Sequence, residues 1–376
     1  MKIVSCSAQP GKIVRGKLKV ATFHGKNLEI PLIVVQGHRE GKTCFISAGI
    51  HGDEINAIET INRFLKGLSI NRVRGTIILL PLLNPWGFKQ KTRYIPFDNL
   101  DLNRCFGKSG KTVSYQIAAT LMKEVITKCD YGIDLHDSGS KNILLPHPRI
   151  FKGDKSQILR EMSYALGTDI ILEREGLPGM MAIESFKHLN VPVLTVEIGG
   201  ALLINEDFII QGVRGINNIL IYHDNLQGIL DLPMQQFFLQ ERQGYGAPLS
   251  GILHIEVELG EAVKKEQVLA RIHDPINDNQ HILRSKDHGV VFSIRKDALI
   301  DKGESVLSVL HFHVKEKTHQ IIPVQAQMLI NKQRLQKVIT RPTIILDGLF
   351  SVLGFSYKLV GKTIKSPLKK IGEFWK

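Results

Sequence analysis

Between residues 1 and 240, short runs of apolar residues alternate with segments whose apolar residues recur at three- and four-residue spacing. Thr43–Ile50 (TCFISAGI) is a run of the first kind and fits a buried strand. Ile55, Ile58, Ile61, Leu65 and Leu68 follow it at helical spacing. Thr76–Asn84 (TIILLPLLN) reads as another strand and Tyr115–Cys129 as a helix. Tyr131–His136 (YGIDLH) and Val191–Ile198 (VPVLTVEI) read as further buried strands. Strands that are apolar on both faces need cover on both faces, so the alternation predicts an α/β fold, a mixed sheet covered by helices.

The pattern changes over residues 244–312, where glycines punctuate short β-branched stretches. Gly251-Ile-Leu is echoed by Gly289-Val-Val, and Glu266-Gln-Val-Leu by Glu304-Ser-Val-Leu, at a common offset of 38 residues. Two similar halves of short strands predict a small β-barrel or sandwich. The arrangement resembles the hammerhead fold of biotinyl and lipoyl carrier domains. Those domains carry a lysine at the hairpin between the halves, whereas this chain has His273-Asp-Pro-Ile-Asn-Asp there. A structural or gating module is therefore expected, not a carrier.

The net charge of +13 is unevenly placed. From Asn331 onward, ten Lys or Arg face only Asp347 and Glu373, so +8 of the +13 sits in the tail. Apolar residues from Ile345 to Trp375 recur at three to five positions, and Lys358, Lys362, Lys365 and Lys369 share one helical face. The tail reads as a basic amphipathic helix, or two, interrupted at Gly354, Gly361 and Pro367. Its apolar stripe fits docking on the protein's own body, on a second subunit in a homo-oligomer, or peripherally on a membrane. Asp347 and Lys358 argue against a membrane span. No nucleic-acid-binding module accompanies the charge, so DNA and RNA are not expected partners. Cys6, Cys44, Cys105 and Cys129 form no CxxC pair, and residues 1–12 hold no secretory apolar run, so the expected location is the cytoplasm, with the tail as the candidate for peripheral membrane contact.

The chemistry gathers where strands end. His51-Gly-Asp-Glu54 lies between the first strand and the first helix, at the carboxyl end where sites form in open α/β sheets. A His and a Glu at that spacing can face one ion, with Gly52 permitting a tight backbone. His136, at the end of its own strand, is the candidate third ligand. Asp53, Asp134 and Asp137 are candidates for orienting a ligand imidazole. Glu197 ends a further buried strand, and a carboxylate there suits a general base beside a metal-bound water. Arg93 and Arg104 offer guanidinium forks for a carboxylate or a developing oxyanion.

HGDE, the DLNR segment, DLH and VEIGG, in that order, resemble the aspartoacylase/succinylglutamate desuccinylase family of the zinc carboxypeptidase superfamily. The likeness spans residues 1–312. It implies a zinc-carboxypeptidase-like fold with one zinc ion (Zn2+) held by His51, Glu54 and His136, and Glu197 as general acid/base. It further implies that Asn103 and Arg104 hold the substrate's carboxylate and that Arg93 polarises the scissile carbonyl. The family's additional carboxylate-binding arginine, shortly before the base, has no counterpart, and Lys187 is the nearest basic group. The expected organisation is a zinc hydrolase domain at 1–240, a hammerhead-like module at 241–320 and the tail at 321–376. The expected activity is hydrolysis of an amide in a small, carboxylate-bearing N-acyl amino acid. A metallocarboxypeptidase acting on peptides or peptidoglycan fragments, and a catalytically silent membrane- or partner-binding protein, are the alternatives.

Overall fold

The computed structural model describes residues 2–3, 6–152, 157–239, 242–311, 320–323 and 338–341. An antiparallel pair, β1 (Lys2–Ile3) and β2 (Cys6–Ser7), precedes a long hairpin of β3 (Lys12–Phe23) and β4 (Lys26–Gln36). Then come β5 (Arg39–Ser47), α1 (Ile55–Gly67), β6 (Arg74–Leu80), α2 (Pro85–Gln90), α3 (Val113–Glu124) and β7 (Tyr131–His136). The short β8 (Asn142–Leu144) leads to β9 (His147–Phe151), α4 (Gln157–Leu166), β10 (Ile170–Arg174), α5 (Met181–Leu189), β11 (Val193–Glu197) and α6 (Glu206–Tyr222). After α6 the chain is almost entirely strand: β12 (Leu230–Pro233), β13 (Gln235–Leu239), β14 (Gln243–Gly246), β15 (Gly251–Ile255), β16 (Ala262–Val263) and β17 (Val268–Asp274). β18 (Asn279–Arg284), β19 (Gly289–Arg295), β20 (Leu299–Ile300), β21 (Ser305–His311), β22 (Gln320–Pro323) and β23 (Val338–Arg341) follow.

The expected mixed sheet is present, with ten strands in the order β22-β13-β10-β9-β11-β7-β5-β6-β4-β3. The four apolar runs read from the sequence are its contiguous, mutually parallel centre, β11-β7-β5-β6. Helices cover both faces. Ile117 and Leu121 of α3 and Met181 of α5 share a core with Phe45 and Ile78, while Ile61 of α1, Met162 of α4 and Ile216 of α6 share one with Ile46, Leu135 and Val196. The helix expected at Tyr115–Cys129 begins earlier and stops at Glu124, because Val125 leaves helical geometry (φ −120°, ψ −63°) before a short 3-10 turn at Ile126–Lys128.

Residues 243–311 form two facing sheets, β14-β21-β19-β16 and β18-β17-β15-β20. The internal repeat explains their pairing. Gly251 of β15 pairs with Ile300 of β20, and Gly289 of β19 with Val263 of β16, so each half contributes a short strand to the other half's sheet. Around the resulting core, Leu253, Leu269, Val291 and Val306 are buried together. This unit is bound to the body in part by β8, which follows the end of β7 and pairs with β19, and by Phe292, which packs among Ile170, Leu172, Phe237 and Leu239. Within the segment expected as a tail, β22 pairs with β13 and β23 with β12. The amphipathic helix expected over 345–375 lies outside the described residues. Among the described residues no helix is long and apolar enough to cross a membrane.

Phe292 has no exposure and joins the two units, so Phe292→Ala should cost about 3–5 kcal/mol of unfolding free energy in a denaturant titration. A loss below about 1 kcal/mol would show that this contact contributes little.

Candidate active site

Strand register lines up one row of polar side chains. Ser47 of β5 lies beside Asp134 of β7, Asp134 beside Thr195 of β11, His136 beside Glu197, and Glu197 beside His147 of β9. Side chains alternate between faces along a strand, so these residues all face one side, while Ile46, Leu135 and Val196 face the apolar core behind. The row sits at the strand ends because each strand stops there: β5 at Ser47, β7 at His136, β11 at Glu197.

After β5, Ala48–Ile50 carries the chain to His51 and α1. Gly52 is needed here for close approach: a Cβ would lie 2.0 Å from the carbonyl carbon of Gly87 in α2. Glu54 occupies the N-cap position of α1 but makes no capping bond. Its carboxylate instead accepts from His51 Nδ1 at 2.6 Å through Oε1 and from His136 Nδ1 at 3.0 Å through Oε2. Asp137, beyond the end of β7, supplies the missing cap by accepting from the Asn56 backbone N–H at 3.0 Å. His51, Glu54 and His136 are each at most 3% exposed, and one ligand atom from each lies within 4.8 Å of the others.

The other ring nitrogens face carboxylates. His51 Nε2 donates to Asp101 Oδ1 at 3.0 Å, and His136 Nε2 to Asp134 Oδ2 at 2.8 Å. Ser47 Oγ donates to the second oxygen of Asp134 at 2.8 Å, which fixes that carboxylate. Of Asp53, Asp134 and Asp137, Asp134 is the one that bonds one of these imidazoles; Asp137 bonds Asn56 and Gly139, and Asp53 keeps one buried oxygen without a partner. Burial lowers the pKa of both histidines, but Glu54 and Asp101 outweigh it at His51, as do Asp134 and Glu54 at His136, so both are raised above 6.5. Burial opposes ionisation of Glu54, yet the two histidines hold it well below the carboxylate range. A carboxylate and two Nδ1 atoms, each imidazole braced from behind by an acid, form a donor set suited to a metal ion with a free coordination position.

Arg93 donates to Asp101 Oδ2 through Nη2 at 2.9 Å and lies 3.6 Å from Glu54 Oε1. Asn103 is buried; its Oδ1 accepts from Met181 N–H at 2.8 Å. Arg104, with 37% of its side chain exposed, donates to the Asn103 carbonyl and reaches Asp101 only at 4.0 Å. Glu197 is buried and salt-bridged by Arg149 Nη1 at 3.0 Å. His51, Glu54, His136, Arg93, Asn103 and Arg104 thus form one connected group, with Glu197 beside His136. Lys187 does not join it: the side chain is exposed in the last turn of α5, whose buried positions are Met181, Ala182, Glu184 and Ser185.

Residues 40–223 match the Succinylglutamate desuccinylase/Aspartoacylase catalytic domain. Over these residues the chain is similar to that family. It is 25% identical over 288 residues to the N-alpha-acetyl-L-2,4-diaminobutyric acid deacetylase of Halomonas elongata, covering 74% of this chain and 84% of that one. It is 26% identical over 240 residues to the succinylglutamate desuccinylase of Yersinia pestis, covering 57% of this chain and 69% of the other. In fold it is similar to a succinylglutamate desuccinylase/aspartoacylase of Rhodobacter sphaeroides, with a TM-score of 0.72, 21% identity and coverage of 83% of this chain and 100% of that one. An ectoine utilization protein of Ruegeria pomeroyi also gives a TM-score of 0.72, at 22% identity, covering 81% and 97% of the two chains.

Two residues at the site went unread in the sequence. Asp101 ties together His51, Arg93 and the Asn103 N–H, and opens the same DLNR segment that drew attention to its neighbours. Arg149 lies in the apolar strand His147-Pro-Arg-Ile-Phe, where a lone cation was the available signal.

Because both histidines are held protonated above the ordinary imidazole range, a metal ion must displace protons to reach Nδ1. Metal uptake at neutral pH should therefore release protons, and affinity should fall roughly tenfold per pH unit for each proton displaced as the pH is lowered. Titration calorimetry in buffers of different ionisation enthalpy checks this; identical heats in all buffers would contradict the assignment of these nitrogens as ligands.

Proposed function

We propose that the chain is a zinc-dependent hydrolase that cleaves the amide bond of a small N-acyl amino acid or related carboxylate-bearing substrate. The observation that carries this reading is the His51–Glu54–His136 cluster with Glu197 beside His136 in strand register. The deacylase names of the Halomonas and Yersinia relatives support it. Zinc suits two imidazole nitrogens and one carboxylate, and would supply Lewis acidity to the acyl carbonyl and to water.

The protein's own groups divide the remaining work. Asp101 and Asp134 hold the Nε2–H of His51 and His136, which leaves each Nδ1 lone pair for the metal. Arg149 engages one oxygen of Glu197, which fixes the carboxylate and leaves its other oxygen to take the proton of the attacking water. Glu197 then delivers that proton to the leaving nitrogen, without which the C–N bond cannot break to give a neutral amine. Arg93, anchored by Asp101 next to Glu54, is placed to stabilise the charge that develops on the carbonyl oxygen. Arg104 has guanidinium donors open to solvent beside the Asn103 side chain, and this pair takes the substrate's carboxylate. Lys187, exposed on α5, has no part in the clamp.

The decisive experiment pairs metal analysis with turnover on a panel of N-acyl amino acids. About one zinc per chain should copurify, His51→Ala should lose it, and Glu197→Gln should keep it while kcat falls about 10²–10⁴-fold. Undiminished turnover in Glu197→Gln would end this mechanism. Arg104→Ala should act chiefly on KM, raising it about tenfold or more through loss of a charge-assisted bond. An unchanged KM would move the carboxylate site elsewhere.

A further inference from the structure

Glu197 lies on a border between charges of opposite sign. On its β7 and β5 side are Asp134, Glu54 and Asp101. On its β9 and β10 side are arginines. Arg149 pairs in register with Thr195 of β11 and with Leu172 of β10; from that level Glu197 lies two residues on towards His147 and Arg174 two residues on towards Phe151, so the two stand to either side of Arg149 along the sheet. Arg149, Arg174 and Glu197 therefore share the sheet face that carries the polar row. Arg242, between β13 and β14, comes in from the side with its guanidinium 5.8 Å from the centre of the Phe292 ring.

This group is short of negative charge. Arg149 has Glu197 at 3.0 Å, yet its Nε is buried without a partner. Among the described residues, no hydrogen bond or ion pair engages the guanidinium of Arg174 or Arg242. His147, fully buried and opposite Glu197 in register, donates through Nδ1 to the Leu145 carbonyl, which leaves Nε2 as an unpartnered acceptor rather than a donor for an anion. Burial and the neighbouring arginines bring Arg242 down to about 10 and lower Arg174 too. Burial and Arg149 likewise hold His147 well below the imidazole range. Guanidiniums kept together, partly desolvated and facing a single carboxylate repel one another until an anion joins them, and their planar forks match oxyanions.

We propose that Arg149, Arg174 and Arg242 form a second oxyanion subsite, which takes a carboxylate or phosphoryl group at the far end of the substrate's acyl chain. The placement follows from the sheet. Asn103 and Arg104 belong to the segment after β6 and connect through Asp101 to His51, whereas the arginines flank Glu197 from β9, β10 and β13. A substrate held by its amino-acid carboxylate at Asn103 and Arg104 directs its acyl chain across the metal ligands towards the arginines. The assignment of the acyl end rests on the hydrolase reading above, while the existence of the subsite does not. Its chemistry favours acyl groups with a terminal negative charge over neutral ones such as acetyl.

Inorganic phosphate is the first probe, because its binding requires no turnover. Millimolar phosphate should raise the Tm of the unaltered full-length protein and of Arg104→Gln, but not that of the Arg174→Gln/Arg242→Gln double variant. The double lysine variant, which keeps the charge, should retain most of the shift, separating loss of charge from loss of fold. No shift in the unaltered protein, or an equal shift in the double glutamine variant, would overturn the subsite. The second probe compares kcat/KM for N-succinyl and N-acetyl forms of one amino acid. Their ratio should fall at least about tenfold in the double glutamine variant, mainly through KM. An unchanged ratio would overturn the acyl-end assignment. Stronger competition by phosphate than by succinate would identify a phosphoryl group as the preferred occupant, and the reverse a carboxylate. If no amide is hydrolysed while the phosphate pattern holds, the hydrolase reading fails and the subsite stands.

Discussion

The Glu54 carboxylate is almost wholly enclosed and accepts hydrogen bonds from two equally enclosed histidines. A carboxylate withdrawn from water loses several kcal/mol of solvation unless cations and donors replace it, so this contact dictates what must surround it. The histidines need acceptors for their second nitrogens, and Asp101 and Asp134 provide them. Those acids need donors in turn: Asp134 has Ser47, and Asp101 has Arg93 and the Asn103 N–H. Each requirement passes to a neighbouring strand or loop. The network therefore fixes the ends of β5 and β7 and the segment after α2 relative to one another.

A helix terminus enters the same account. Glu54 stands where α1 wants a capping acceptor, but its oxygens are committed to the histidines. Asp137 reaches across from the end of β7 to bond the Asn56 N–H, so the strand that carries His136 also stabilises the helix that follows His51 and Glu54. The body of the protein and its candidate site are consequently not separable parts. Loosening α1 would move His51 and Glu54, and displacing β7 would remove both His136 and the cap.

The β-rich unit contributes in a different way. Its pseudo-symmetric halves exchange short strands, which buries a common core without needing the main sheet. It is nevertheless tied in near the candidate site, through β8, just after His136, and through Phe292, whose ring centre lies 4.8 Å from that of His147 in an edge-on contact. His147 and Arg149 lie on the same short strand beside Glu197, so the unit backs the cationic side of the site. Across the row, charge runs from acids around His51 and His136 to arginines beyond Glu197. Such a gradient would orient the doubly anionic substrate proposed above.

Apolar runs and helical spacing in the sequence sufficed to identify the central parallel strands, the helices between them and the repeated β unit, because these follow from local periodicity. His51, Glu54, His136 and Glu197 were legible for a related reason: a charged or metal-binding side chain at the end of an apolar run has few structural explanations. The hairpin of β3 and β4 was not legible as such, being a sheet edge with mixed polar and apolar residues rather than a continuous apolar run. Nor was the pairing of Asp101 with His51, of Arg149 with Glu197, or the exclusion of Lys187. Those depend on register between strands distant in sequence and on which face of α5 turns inward. Periodicity tells a residue which side of its own element it occupies, but only packing decides which other side chains it meets there.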